Sequence, residues 1–554
     1  MSIPLAITPI ESNHLEKRQR FSRSLLWQLQ RDYFNQQGIQ AWNGGSVPHY
    51  VTSNPFIANA YGKVIRGYLR DCDRLQALDL NQPVYIIELG AGSGRFAYHF
   101  LKQFWEWYPH SVLRHIPVTY VMTDLAQKNL DFWQAHPFLR PFVDEGLLDF
   151  ARFDVADCET SQTQQSPNLT LLNQGETLSV DTLHNPLIAI ANYFFDSLPN
   201  DLFYVEDSTL FETLVTLTPR SSTAIASNPK LSQLHTTYTN AKATAAGYYD
   251  DPVMNQLLHT YQTGFHHTHI LFPTVGLAAI NALRKLSGDR LLLLSSDKGH
   301  TCDADLQRQG VPEPASHGGA FSLMVNYHAI AQYTIAQGGQ ALMPDHLRRS
   351  ITICGFLFGD CSDGDSSEDD WENCIETYIE THQAYWDEIL QASPDDFFAL
   401  KKAIEPHFDT LTLKQILAYL RLSHWDHQLF LGCFDNLMCQ VESAPARLCQ
   451  EVYHAIQNIW QTYYFMGEEQ DLPFHCAMLL YKMGDYHEAI AYLDISLQFY
   501  GEDPGIRYNQ AKCYVALEAL DKAWASIEKA LSVYPEFAAA QALRTELAKG
   551  LAKK

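Results

Sequence analysis

The sequence predicts an α/β domain of Rossmann-like architecture followed by an all-α region of helical repeats. Three observations predict it. Val84–Arg95 runs from an apolar, β-branched stretch through three glycines at alternating positions (Gly90, Gly92, Gly94), and an amphipathic run from Phe96 to Trp107 follows. That is the strand, tight turn and helix that open a nucleotide-binding βαβ unit. Further apolar runs alternate with helix-period segments over the next 250 or so residues, the pattern of a parallel sheet covered by helices. Beyond Trp371 the chain reads as helical throughout and repeats itself at an offset of 34 residues, Ala489 on Ala523 and Leu497 on Leu531.

The glycine turn narrows the ligand. A dinucleotide fingerprint G-x-G-x-x-G needs glycine at position 95, where Arg95 stands. The spacing here is G-x-G-x-G, with Glu88 two residues before the first glycine. That is the first motif of class I S-adenosylmethionine-dependent methyltransferases, so a Rossmann-like class I methyltransferase fold and S-adenosylmethionine as cofactor are expected. This cofactor has no pyrophosphate to cradle. It carries an ammonium group near the turn, which the Glu88 carboxylate can support electrostatically.

The remaining elements follow in order. Phe21, Leu25, Leu26, Leu29 and Tyr33 recur at helical spacing. Thr52 and Ser53 carry short hydroxyl side chains that could cap a helix from about Phe56 to Arg70. Val118–Asp124 reads as a second buried strand; an acid at its end commonly bonds the cofactor ribose, which makes Asp124 a candidate. A helix from Leu125 to His136 and a third strand, Leu147–Asp154, come next. Asp154 is the candidate acid for the adenine amino group, with Asp157 as alternative; either could equally be a helix cap. Residues 157–185 are polar and read as a solvated excursion with a short hairpin.

Pro186–Pro199 holds a fourth buried strand that ends in Asn192, Tyr193, two phenylalanines and Asp196. Ligands of open α/β sheets sit beyond the carboxyl ends of the strands, so the methyl acceptor is expected here. Asn192 would position the nucleophile and Asp196 would take its proton; the plainer alternative is a helix start capped by Asp196. Phe203–Leu217 suggests a hairpin, and the Ser/Thr/Ala-rich residues 219–247 a flexible insert or lid. His266, His267 and His269 lack the matching cysteine or acid spacing of a zinc site, and no metal is expected. A helix (Val275–Leu286), a fifth strand (Gly288–Asp297), loops at Lys298–Gly299 and His317–Ser322, a helix (Asn326–Gln337) and a last strand (Ser350–Phe358) complete the domain. The acidic run from Asp360 to Asp370 lacks the glycine of a calcium loop and reads as a solvated linker.

Bulk properties set limits. At 554 residues the chain needs more than one core. A formal net charge of −24 argues against nonspecific nucleic-acid binding and against an anionic membrane surface. Eleven cysteines without a C-x-x-C pair suit reduced thiols. No run approaches the length of a membrane span, and Met1–Arg20 lacks an apolar leader core, so a cytoplasmic protein is expected. The 34-residue period is that of tetratricopeptide repeats, whose concave surface binds a peptide or protein partner. Ala455-Ile456 marks a degenerate earlier repeat, and Phe537–Lys549 the closing cap helix. The expected domains are 1–360, an acidic linker at 361–370, a helical region at 371–470 and the repeats at 471–554.

With these segments in hand, the first 360 or so residues resemble the MidA family of S-adenosylmethionine-dependent methyltransferases. That family includes the mitochondrial complex I assembly methyltransferase, which modifies a protein arginine. Tyr50-Val-Thr-Ser53 with Ala60-Tyr-Gly62 resembles the family's F-x-T-S stretch and following F-G. Glu88–Gly94 resembles E-L-G-x-G-x-G, Asn192–Pro199 resembles N-E-x-x-D-A-L-P, Ser296–Gly299 resembles D-Y-G, and Gly355–Gly359 resembles a closing F-L-x-x-L-G. Tyr193 stands where the family has glutamate and Lys298 where it has tyrosine. The resemblance implies that Thr52, Ser53, Glu88, Gly90, Gly92 and Gly94 contact the cofactor, beside the strand-end candidates Asp124 and Asp154. It implies a methyltransferase acting on a protein, arginine included; the repeats, which lie outside the resemblance, are expected to recruit a partner. The departures at Tyr193 and Lys298 keep open a catalytically silent, cofactor-binding scaffold; Arg95 disfavours a nicotinamide-dependent oxidoreductase.

Overall fold

The computed structural model describes residues 14–43, 45, 47–159, 168–220, 229–345, 350–359 and 376–551. The acidic run, and part of each predicted insert, lie outside the described residues. The chain divides into two compact units, Met1–Phe398 and Ala399–Lys554. The helices after Trp371 are therefore shared between them.

The first unit is built on a seven-stranded sheet: β1 (Val84–Glu88), β2 (Val118–Asp124), β3 (Leu148–Arg152), β4 (Leu187–Asn192), β5 (Leu291–Asp297), β6 (Gln340–Leu342) and β7 (Thr352–Phe358). Their spatial order is β6-β7-β5-β4-β1-β2-β3. β1 to β5 are parallel, and β7 inserts antiparallel between β5 and β6. Every residue of β1, β2, β5 and β7 is buried, because helices cover both faces; this is why these strands read as continuous apolar runs rather than alternating ones. The Rossmann-like class I methyltransferase fold expected from the sequence is present. Short β6, only three residues, went unpredicted.

Four helices matter for the site: α1 (Leu25–Gln37), α2 (Tyr50–Ser53), α3 (Pro55–Arg74) and α4 (Arg95–Trp107). The cap of α3 is Asn54, whose Oδ1 accepts from Phe56 N and Ile57 N at 3.0 and 3.1 Å. The expected caps, Thr52 and Ser53, instead turn back to the His49 carbonyl (3.2 and 2.7 Å). Pro55 at the first helical position explains the shift: it needs no amide partner, and the residue before it is extended, as a cap must be. Ile379–Tyr385 packs on α3, where Asp71 Oδ2 accepts from Thr381 N and Oγ1 at 2.8 and 2.7 Å.

A second sheet flanks the first. Asp201–Glu206 and Thr209–Pro219 form the expected hairpin, and Thr268–Phe272 and Glu16–Gln19 add to it. The predicted lid is corrected here. Leu234–Lys242 is a strand, paired antiparallel with 211–219 along its whole length. Its Ser/Thr-rich neighbourhood hid a period-two face of Leu234, Thr236 and Tyr238 turned inward.

In the second unit, helices pair at the predicted period: α5 (Leu472–Met483), α6 (Tyr486–Tyr500), α7 (Pro504–Ala516), α8 (Leu520–Val533) and the closing α9 (Ala538–Leu551). Ala489 and Ala523, equivalent across the repeat, are fully buried, so the backbones approach closely there. Ala455 and Ile456 are buried in Ala446–Thr462. Overpacking such a contact costs about 1–3 kcal/mol. Ala523→Leu is expected to lower the unfolding free energy of the repeat transition by that amount, read from the shift of its urea midpoint, and an unchanged midpoint would show that the helices are not closely packed at this position.

Candidate functional site

The strand order reverses between β1 and β4, the switch point at which ligands enter open α/β sheets. One cleft opens there. It is lined from β1 and its turn by Glu88, Gly90, Ala91, Gly92 and Ser93, and from the N-terminal segments by Phe34, Trp42, His49, Thr52 and Ser53. Asn192, Tyr193, Asp196, Lys298, His317 and Ser322 line it as well.

The turn needs its glycines. Gly90, Gly92 and Gly94 have φ of 65°, 53° and 78°, the left-handed region. A Cβ on Gly92 would stand 2.8 Å from the Trp42 ring. Asp124, at the end of β2, fixes this turn: its Oδ2 accepts from Gly92 N (3.1 Å) and Asn129 Nδ2 (3.0 Å), and its Oδ1 from Ala126 N (2.9 Å). The Trp133 indole donates to the Gly92 carbonyl at 3.1 Å.

Glu88 is buried and accepts from the Tyr120 hydroxyl at 2.9 Å. Burial, with the nearby Asp124 charge adding to it, pushes its carboxyl up to about 8 despite the Tyr120 bond. A buried acid beside a glycine cradle and without a basic partner suits a ligand ammonium. Since the folded state holds a proton that the unfolded state releases above the ordinary carboxylate value, stability falls as pH rises from about 4.5 toward 8. Glu88→Gln is expected to remove this fall, at most about 1.4 kcal/mol per pH unit. Urea midpoints at pH 5 to 8 measure it, and equal slopes in both proteins would refute the shift.

The residues at the end of β4 are tightly bonded. Asn192 Oδ1 accepts from the Tyr61 hydroxyl (3.0 Å) and Ser296 Oγ (2.8 Å), and its Nδ2 donates to Thr52 O (3.3 Å). This fixes the amide and ties β4, β5 and the Thr52 helix together. Tyr193 has φ of 48°, strained for an aromatic residue, held by its amide bonding to Ser296 O at 2.9 Å. Asp196 is buried, accepts from Ser197 Oγ at 2.8 Å, and lies beside a second carboxyl, Asp297, at the end of β5. Burial raises both above the usual carboxylate range. His49 is held neutral, down to about 3, by burial and the Arg95 charge.

Of the residues singled out by sequence, Thr52, Ser53, Glu88, Gly90, Gly92, Asn192 and Asp196 line this one cleft. Gly94 caps α4 behind the turn. Asp124 and Asp154 are not among its lining residues. Asp124 is engaged by the turn itself, and Asp154 is held by Arg31 of α1 in a two-point ion pair at 2.9 and 2.6 Å. Asp157 lies in the short helix Ala156–Glu159. Sequence reasoning missed Asp297, Trp42 and His49 as candidates. The acid-at-strand-end signal used for the first three strands would have found Asp297. Among the described residues no group of three His, Cys, Asp or Glu side chains is placed to hold a metal, and no helix is long and apolar enough to cross a membrane.

Residues 71–273, which include the glycine turn and the Asn192–Pro199 segment, match a family model described as "Putative S-adenosyl-L-methionine-dependent methyltransferase". The match makes residues 71–273 similar to S-adenosylmethionine-dependent methyltransferases. Residues 480–547 match a tetratricopeptide repeat model. No curated protein matches the chain. Two crystal structures of a superfamily protein from Burkholderia thailandensis are similar at 12% identity and a TM-score of 0.35, over 58% of this chain and 72% or 73% of theirs; the second is bound to S-adenosyl-homocysteine. A likeness at that level carries no inference about ligand or chemistry. In the methyltransferase domain the cofactor end of the cleft is the left-handed glycine turn with Glu88 beneath it, and these residues fit S-adenosylmethionine.

Proposed function

We propose that the methyltransferase domain acts on a protein, with arginine as one acceptor its chemistry accommodates, and that the tetratricopeptide repeats recruit that protein or a partner. The observation that carries the reading is that one cleft is lined both by a glycine cradle with a buried acid and by Asn192 with Asp196, whose carboxyl pairs with that of Asp297 behind it. When bound, the cofactor supplies a methyl group on a sulfonium, a good leaving group, so the protein mainly provides proximity and alignment. Gly90, Gly92 and Glu88 would hold it. Asn192, locked by Tyr61 and Ser296, orients the incoming nucleophile. Asp196 receives the proton the nucleophile gives up, or pairs with a cationic acceptor. The charge of −24 supports a basic protein segment as partner.

Lys298 supports the rival reading of a silent scaffold, since it places a resident cation at the acceptor end. Two measurements separate them. Titration calorimetry with S-adenosylmethionine tests the cofactor end, and absence of binding at millimolar cofactor sinks the reading. Tritiated methyl transfer to proteins of a lysate lacking this chain tests the acceptor end; reproducible labelling removes the scaffold.

A further inference from the structure

We propose that Asp196 and Asp297 form a pair holding one proton, in which Asp297 keeps the proton and Asp196 is the ionised member presented to the acceptor. The role toward the acceptor rests on the methyltransferase reading; the location of the proton does not. Asp297 is fully enclosed, whereas Asp196 lines the cleft. Asp297 Oδ2 accepts from the amides of Phe195 and Asp196 at 3.1 and 3.4 Å. Its Oδ1 is buried and has no hydrogen-bond partner among the described residues. A carboxylate oxygen can only accept, so an ionised Asp297 leaves that atom unsatisfied at a cost; a protonated one turns it into a donor toward Asp196.

The surroundings place the proton on the inner member. The titratable groups facing Asp297 include Asp196 and the hydroxyls of Tyr61, Tyr193 and Tyr327, none of them cationic. Asp196 instead has Ser197 Oγ donating to it and Lys298 nearby. Two adjoining buried carboxyls do not both ionise near neutral pH. The upward shift of both agrees. Asp297 then acts through Asp196 as a positioning residue: it holds the Phe194–Asp196 turn by two amide bonds and leaves one negative charge, not two, at the acceptor end.

The test uses the full chain. Infrared difference spectra at pH 7 between wild type and Asp297→Asn are expected to show loss of a protonated-carboxyl carbonyl band, because an amide replaces the acid. The folding equilibrium constant of wild type, relative to that variant, is expected to fall tenfold per pH unit above the ordinary carboxylate value, as uptake of one proton requires. No band lost, or no difference in pH slope, overturns the pair. If that variant does not fold, ¹³C-aspartate-labelled protein in an Asp124→Asn background decides: a protonated aspartate band that moves on Asp196→Asn supports the pair, and an absent or unmoved band overturns it. Failure of cofactor binding with the band intact overturns only the methyltransferase reading.

Discussion

Gly92→Arg is expected to abolish S-adenosylmethionine binding, at least a hundredfold in affinity by calorimetry, while the chain still folds. Two costs combine. The left-handed backbone at φ 53° disfavours any side chain by about 1–2 kcal/mol. The first added atom already meets the Trp42 ring at 2.8 Å, so the rest of an arginine must either push Trp42 away or fill the cleft. The strain alone is smaller than the stability of an ordinary domain. Gly175 supplies the control: its φ is 72°, and nothing lies within 4 Å of its added Cβ. Gly175→Arg carries similar strain away from the cleft and is expected to leave affinity unchanged. Equal losses in both variants would mean that the effect is destabilisation rather than a blocked cradle.

Asp196→Asn is expected to cut methyl labelling by about 10²–10⁴, the usual worth of a placed general base. Cofactor affinity should stay within about threefold, since Asp196 follows β4 whereas the glycine turn follows β1. The Ser197 Oγ bond survives on the amide oxygen, so the 3-10 turn Phe195–Ser197 should persist. Labelling that persists within tenfold of wild type would show that the proton leaves by another route. The two variants together divide the cleft into a part that binds and a part that reacts.

Much of this was legible in the chain because parallel strands buried on both faces are mostly apolar. Val118–Asp124 coincides with β2, and Val84–Glu88 with β1. The glycine turn was legible for the same local reason: three left-handed positions demand three glycines. What failed was long-range. Arg31 and Asp154 lie on separate elements, and no local pattern announces that the acid's partner is an arginine of α1. Asp124 satisfied the rule for a strand-end acid, yet its oxygens are taken by the Gly92, Ala126 and Asn129 donors beside it. Strand Leu234–Lys242 was obscured because threonine and asparagine suit a half-exposed strand as well as a loop.

That strand has a consequence for how copies of this protein coexist in solution. Leu234–Lys242 pairs with the 211–219 stretch on one side, and among the described residues no strand covers its other side. A nine-residue edge of this kind is a template on which another chain could add and begin an aggregate. Its outward residues are His235, Thr237, Thr239, Asn240 and Lys242, all exposed and none of them apolar. The composition that made the segment look like a loop is the composition that keeps an open sheet edge wet.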